Sequence, residues 1–231
     1  MLLDHAETVA LILSLKVSLV GVACSLPVAV ACAWLLAHTR FIGKPLFEGV
    51  LLLPLILPPV VTGYILLIMF GHHGPIGRVL DALGLPIAFR WTGAALAAAV
   101  MAFPLLVVAL RNAFESVDRK LENAAATLGA GPWRIFFGIT LPLSLRGLVA
   151  GLALAFARAF GEFGATITFV SSIPGETRTL PIALYEFIST PGGEGGALRL
   201  TLVAVAVALV SSLLAALMLL RSGTRDAGSG P

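Results

Sequence analysis

Five stretches of this sequence stay apolar long enough to cross a lipid bilayer: roughly residues 9–37, 50–70, 93–110, 143–170 and 200–220. A helix needs about 20 mostly apolar residues to span a hydrocarbon core of about 30 Å. Within lipid, every backbone N–H and C=O must find its partner inside the segment, so runs of this length are expected to be helical. Composition agrees, with 58% of the residues hydrophobic and 12% charged. A soluble domain carries about 25% charged residues, so this chain has too little charge to cover a surface in water. A soluble enzyme, a nucleic-acid binder and a disordered chain are excluded. Pro27, Pro58, Pro59 and Pro104 fall inside the runs, where neighbouring helices tolerate them and kinks are expected. The expected fold is an all-α integral membrane protein of about five transmembrane helices, one domain over residues 1–231.

The net charge is +3, but in a membrane protein the placement of Lys and Arg matters more. One set of connections, with the tail, carries Arg40, Lys44, Arg111, Arg119, Lys120, Arg134, Arg146, Arg221 and Arg225. The other set carries only Arg78, Arg90, Arg178 and Arg199. Nine against four places the N-terminus outside and the C-terminus in the cytoplasm. The start, Met1-Leu2-Leu3-Asp4-His5-Ala6-Glu7, is acidic where a cleavable signal peptide would be basic, so none is expected. About ten residues follow the last run, so no cytoplasmic regulatory domain is expected there.

Several polar residues have plain readings. Lys16 is expected to snorkel to the outer interface, and Trp34 and Trp91 to sit near span ends. Cys24 and Cys32, with no CxxC pattern, read as buried thiols in a packed helix. His72 and His73 read as residues of an exterior loop, and no metal site is expected.

The connection 111–142 is too long and too ordered for a simple loop. Leu121-Glu122-Asn123-Ala124-Ala125-Ala126-Thr127-Leu128 favours a short helix. Gly129 suits the left-handed residue that ends it, and Pro132 suits the first position of a second helix. Trp133, Ile135, Phe136, Phe137 and Ile139 make that second piece strongly apolar, and Leu141-Pro142 is expected to close it. Large apolar side chains beside basic ones on a cytoplasmic face fit a docking surface for a soluble partner or a helix lying on lipid.

The spacing of Asn123-Ala124-Ala125, Gly129, Ile139 and Leu141-Pro142 resembles the EAA loop of bacterial ABC importer permeases. The family's leading glutamate is Asn123 here, with Glu122 one position earlier. The resemblance implies that Glu122, Asn123, Ala124, Ala125, Gly129, Trp133, Ile139, Leu141 and Pro142 belong to a coupling loop seated on an ATP-hydrolysing subunit. The chain has no G-x-x-x-x-G-K-[ST] phosphate loop. It therefore reads as the permease alone, not an enzyme and without its own cofactor, with ATP and Mg on a partner.

In the fourth run Arg158 and Glu162 stand four residues apart, on one helix face. Intramembrane charges usually face a bundle interior or an aqueous path, so the pair reads either as a structural bridge or as a charged gate. Rows of small residues, Gly147, Gly151 and Ala155 beside Ala153, Ala157, Gly161 and Ala165, permit close helix packing, within the chain or between two permease copies. The Gly161-to-Thr166 stretch and the segment from Ser171 to Tyr185 resemble the molybdate permease subfamily more closely than sulfate and thiosulfate permeases. That resemblance implies a tetrahedral oxyanion, molybdate or tungstate, delivered by an extracytoplasmic binding protein to two permease copies and two ATPase copies in the bacterial inner membrane. Thr166, Thr168, Ser171 and Ser172 then become candidate hydroxyls along the path. A secondary anion transporter would predict internal repeats or more intramembrane carboxylates, and an intramembrane enzyme would need a catalytic constellation. No such repeat or constellation is evident in the sequence.

Overall fold

A computed structural model describes residues 3–223, and every regular element among them is helical. The helices are α1 (His5–His38), α2 (Lys44–Ile56), α3 (Pro59–Phe70), α4 (Pro75–Ala82), α5 (Trp91–Glu115), α6 (Arg119–Thr127), α7 (Pro132–Ile135), α8 (Leu141–Phe160), α9 (Gly164–Val170), α10 (Leu180–Ile188) and α11 (Glu194–Gly223). Met1, Leu2 and Arg225 lie outside the described residues. Four helical stretches are long and apolar enough to cross a membrane, and a fifth crossing arises if α2 and α3 count as one span.

The centre of the bundle is α5, packed along α1 on one side and α8 on another. Its small residues, Ala94, Ala95, Ala97, Ala98 and Ala102, are all buried and bring the helix axes close. Of the expected rows of small residues, Gly147 and Gly151 of α8 pack within the chain, whereas the second row is interrupted where α8 ends: Gly161 is exposed and Ala165 lies on α9. A Cβ at Gly147 would lie 2.6 Å from the Ala113 side chain, and one at Gly151 would lie 2.8 Å from that of Ala109. Ala150 and Ala153 turn instead towards Ala215 of α11. The outer face of α11 is largely exposed, as suits a helix in contact with lipid.

The second and fourth runs differ from the expected single helices. The run 50–70 breaks at Leu57-Pro58, and α2 and α3 are bent by 107°. Proline disfavours a helical residue before it, and Leu57 is extended at φ −68° and ψ 144°. Two successive prolines remove two donors, and Pro59 then begins α3 where its missing N–H costs nothing. At 13 and 12 residues, neither half alone can cross a bilayer. Pro27 and Pro104 remain inside α1 and α5 without ending them. The run 143–170 breaks at Gly161-Glu162-Phe163, between α8 and α9.

Leu141-Pro142 does not close the second cytoplasmic helix. The chain stays helical from Pro132 through Phe160, with a π-helical turn over Phe136–Thr140. Pro142 has no N–H and its ring clashes with a normal turn before it. The wider turn relieves that clash: Leu141 N donates to the Phe136 carbonyl, five residues back.

Side-chain bonds separate two ends of the bundle. At one end Arg199 holds Glu7, Leu180 N donates to Ser14 Oγ at 2.6 Å, and Lys16 Nζ stands 3.5 Å above the Trp91 ring. At the other, Lys44 Nζ donates to the Leu36 carbonyl at 2.6 Å, and Arg111 bridges Glu48 and Glu115, each at 2.8 Å. The second end carries the basic connections, so the charge argument makes it cytoplasmic. Cys24 is exposed on α1 rather than buried, because the outer face of that helix meets no other helix there, and Cys32 is half-buried. His72 and His73 lie in the loop between α3 and α4, as expected, and His72 Nδ1 stands 2.7 Å from Asp81 Oδ2.

Candidate functional site

Two features stand out: a cytoplasmic elbow formed by α6 and α7, and a seam where the two broken spans meet. In the elbow, the Asp118 carboxylate accepts from Lys120 N at 2.9 Å and caps the start of α6. Gly129 ends α6 in the left-handed region at φ +86°, as its place in the sequence indicates. Gly129 N donates to the Ala126 carbonyl and Ala130 N to the Ala125 carbonyl, each at 3.0 Å, which completes a Schellman cap. Pro132 opens α7 at its first turn.

The elbow exposes a ridge of apolar side chains. Leu128 is 88% exposed and Trp133 is 74% exposed, and Phe137 stacks on Trp133 with ring centroids 6.1 Å apart. Asn123 and Ala124 share the exposed surface, while Ala125, Ile139 and Leu141 are half-buried and Pro142 is exposed. Phe136 turns inward and meets Phe114 of α5 edge-on at 6.0 Å. An isolated helix of nine residues is not stable in water, so the contacts beneath the elbow hold it in place.

Glu122 provides part of that hold. Its side chain is 13% exposed, and Oε1 accepts from Thr140 Oγ1 at 2.5 Å and lies 3.3 Å from His38 Nε2. His38 is the last residue of α1, and its ring stacks on Trp34 at 5.3 Å. Arg119 Nη2 adds a bond to the Ala37 carbonyl at 2.8 Å. Asn123 therefore faces outward while Glu122 is engaged within the chain. The sequence signals a glutamate at this position but not its direction, which depends on how α6 is rotated.

At the seam, α3 lies against α9. Gly164 meets Pro59, whose Cβ would be 2.8 Å from a Cβ on the glycine. Glu162 is 2% exposed, and its two oxygens have separate partners. Oε2 lies 2.5 Å from Arg158 Nη1, and Oε1 accepts from Ala165 N at 2.9 Å. The pair thus joins α8 to α9 across the break, with the guanidinium half-buried. Of the candidate hydroxyls, Thr166 is buried, and Thr168 Oγ1 donates to the Gly164 carbonyl at 2.8 Å. Ser172 Oγ donates to Glu186 Oε1 at 2.5 Å. Ser171 is exposed, with a backbone at φ 61° that a non-glycine residue seldom adopts. The four do not converge as one set of free donors. Among the described residues, no group of three or more His, Cys, Asp or Glu is placed to hold a metal ion.

Sequence reasoning missed a buried ion pair on the opposite end. Glu7 is 0% exposed, and both of its oxygens accept from Arg199 Nε, at 3.1 and 3.0 Å, with Nη2 at 2.5 Å from Oε1. The same carboxylate accepts from Asp4 N at 3.0 Å in a capping box, and the Asp4-x-x-Glu7 spacing signals that half. Nothing local signals Arg199, 192 residues away.

Residues 25–222 match the family described as binding-protein-dependent transport system inner membrane component. The molybdenum transport system permease protein ModB of Escherichia coli is 59% identical over 215 residues, covering 93% of this chain and 94% of that protein. ModB of Haemophilus influenzae is 56% identical over 209 residues, covering 90% and 91%. Among solved structures, an amino acid ABC transporter crystallised with histidines aligns with a TM-score of 0.64 at 17% identity, over 96% of this chain and 100% of that one. At that identity the likeness is one of fold.

Proposed function

The chain belongs to the family of binding-protein-dependent transport system inner membrane components, and from that membership we infer that it is the membrane-spanning permease subunit of a molybdate ABC importer. It is a multi-pass membrane protein, and in this reading it sits in the bacterial inner membrane. The observation that carries the mechanism is the elbow. Its apolar ridge, Leu128, Trp133 and Phe137, is held outward on a cytoplasmic face by a capped turn and an inward glutamate. A ridge of that kind suits insertion into a groove on a soluble protein. The partner in this reading is an ATPase subunit, two copies of which bind ATP and Mg, while this chain holds no cofactor.

Two copies of the permease enclose one path, with an extracytoplasmic binding protein delivering the anion at the opposite end. Closure of the partner subunits draws the two elbows together and repacks the spans between two arrangements. The broken spans supply a place for that change, since the regular helix is interrupted at Leu57-Pro58 and at Gly161-Glu162-Phe163. Arg158, half-buried at the break between α8 and α9, is a candidate to meet the anion, with Thr166, Thr168 and Ser171 nearby in sequence. Tight binding within the path would slow release, so selectivity resides chiefly in the binding protein.

Uptake of labelled molybdate tests this reading in cells with and without the gene, with sulfate as competitor. Loss of uptake without the gene, and weak competition by sulfate, is the expected result. Strong sulfate competition would move the chain to sulfate or thiosulfate transport, and unchanged uptake of both anions would leave the importer architecture without a substrate.

A further inference from the structure

Three separate elements meet at Glu122. The carboxylate belongs to α6, its hydrogen-bond donor Thr140 to the π turn that leads into α8, and His38 to the last turn of α1. Arg119, one turn earlier on α6, holds the Ala37 carbonyl, so α6 is tied twice to the end of α1. Thr140 is buried, with 1% of its surface exposed, and faces Glu122 because the π turn over Phe136–Thr140 shifts the register of the helix by one residue. Pro142 favours that wider turn, since a normal one would clash with its ring. We propose that Glu122 is a positioning residue that makes α6, α1 and α8 move together, so that displacement of the docked elbow reaches both spans rather than being absorbed in the loop. This rests on the importer reading above.

Stiffness decides whether movement of the elbow reaches the spans. A nine-residue helix linked to its neighbours by Ser116-Val117-Asp118 on one side and Leu128-Gly129-Ala130-Gly131 on the other, without side-chain ties, can tilt independently of them. A hydrogen-bonded carboxylate in a partly desolvated position removes that freedom, because each bond is short and directional. Coupling between distant sites requires a connected element that both sites bias. Glu122 supplies the connection at the point where the elbow meets the membrane.

The test uses the permease assembled with its ATPase and binding protein in liposomes, and the readout is molybdate imported per ATP hydrolysed. In Glu122→Ala complexes that ratio is expected to fall about tenfold, within the usual range of a coupling free energy, while ATP hydrolysis continues. Thr140→Val, which keeps the shape but removes the donor, is expected to fall in the same direction, and Thr140→Ser to restore the ratio. Glu122→Ala with Thr140→Val is expected to be no worse than Glu122→Ala alone, because both remove one joint. A purely structural role would lower hydrolysis and import in parallel and leave the ratio unchanged, which overturns the proposal. If Glu122→Ala does not assemble, Thr140→Val decides by the same criterion. A wild-type complex that imports no molybdate overturns the importer reading itself, an outcome distinct from a working wild type with unaffected variants.

Discussion

Gly63 of α3 and Ala165 of α9 are pressed together so closely that a Cβ on the glycine would lie 2.5 Å from the Ala165 carbonyl oxygen and 2.9 Å from the Thr168 side chain. This contact holds one broken span against the other. Backbone atoms cannot yield as a flexible side chain does, so the two halves separate if the glycine gains bulk. Gly63→Ala is expected to cost about 1–3 kcal/mol, the usual range for overpacking. Gly49→Ala inside α2, where a Cβ meets nothing within 4 Å, is expected to be neutral to slightly stabilising, since alanine favours a helix over glycine. Thermal unfolding in detergent distinguishes the two variants, and equal behaviour would show that the seam does not carry stability.

Arg158 and Glu162 present a choice between joint and gate that the geometry makes testable. Arg158→Ala leaves the buried Glu162 carboxylate with Ala165 N as its remaining bond, and breaking a buried pair typically costs about 3–5 kcal/mol. Partial exposure of the guanidinium moves the expectation to the lower end. Adding Glu162→Gln to Arg158→Ala is expected to recover much of the loss, since the buried charge is gone and the amide oxygen still accepts from Ala165. Unfolding midpoints of the single and double variants check this. A single variant as stable as wild type but without uptake would instead make Arg158 a residue of the anion path.

The bend at Gly129 depends on backbone conformation, not on space. Its φ is +86°, and a Cβ there meets nothing within 4 Å. A left-handed residue other than glycine costs about 1–2 kcal/mol, with Asn and Asp penalised least. Gly129→Val is therefore expected to impair assembly with the ATPase more than Gly129→Asn, and Gly129→Asp to add a charge to the docking ridge. Co-purification of the ATPase measures the order. Equal yields for Val and Asn would mean that the elbow does not need this turn.

How much of this was legible in the sequence follows the range of the interactions concerned. The spans are written in unbroken apolar runs, and the elbow in Gly129 and Pro132, because each is decided by its own few residues. Pro58-Pro59 signals a kink, but an angle of 107° also requires room on α9, which Gly164 supplies about a hundred residues later. The π turn escaped notice because Pro142 reads equally as a helix end, and only the packing of Thr140 and Phe136 shows the helix running on. Glu7 with Arg199, and Glu122 with His38, are pairings of residues 192 and 84 positions apart. Neither spacing nor composition records which distant ends a bundle brings together.

The exposed ridge separates docking from lipid binding. If Leu128 and Trp133 enter a groove on the ATPase, Trp133→Ala is expected to weaken that association by about 2 kcal/mol or more, as for a buried aromatic anchor. Binding of purified ATPase to the permease in detergent, where no bilayer is present, reads this directly. Unchanged affinity would assign the ridge to lipid.

In the proposed function, molybdate crosses the membrane through this chain at the expense of ATP hydrolysed by a partner. Proteoliposomes holding the permease and its ATPase, with molybdate-loaded binding protein at the face bearing Glu7 and Arg199 and ATP at the face bearing Trp133, test it most directly. Accumulation of molybdate on the Trp133 side, dependent on both ATP and binding protein, is the expected result. Hydrolysis of ATP without accumulation of molybdate would contradict it.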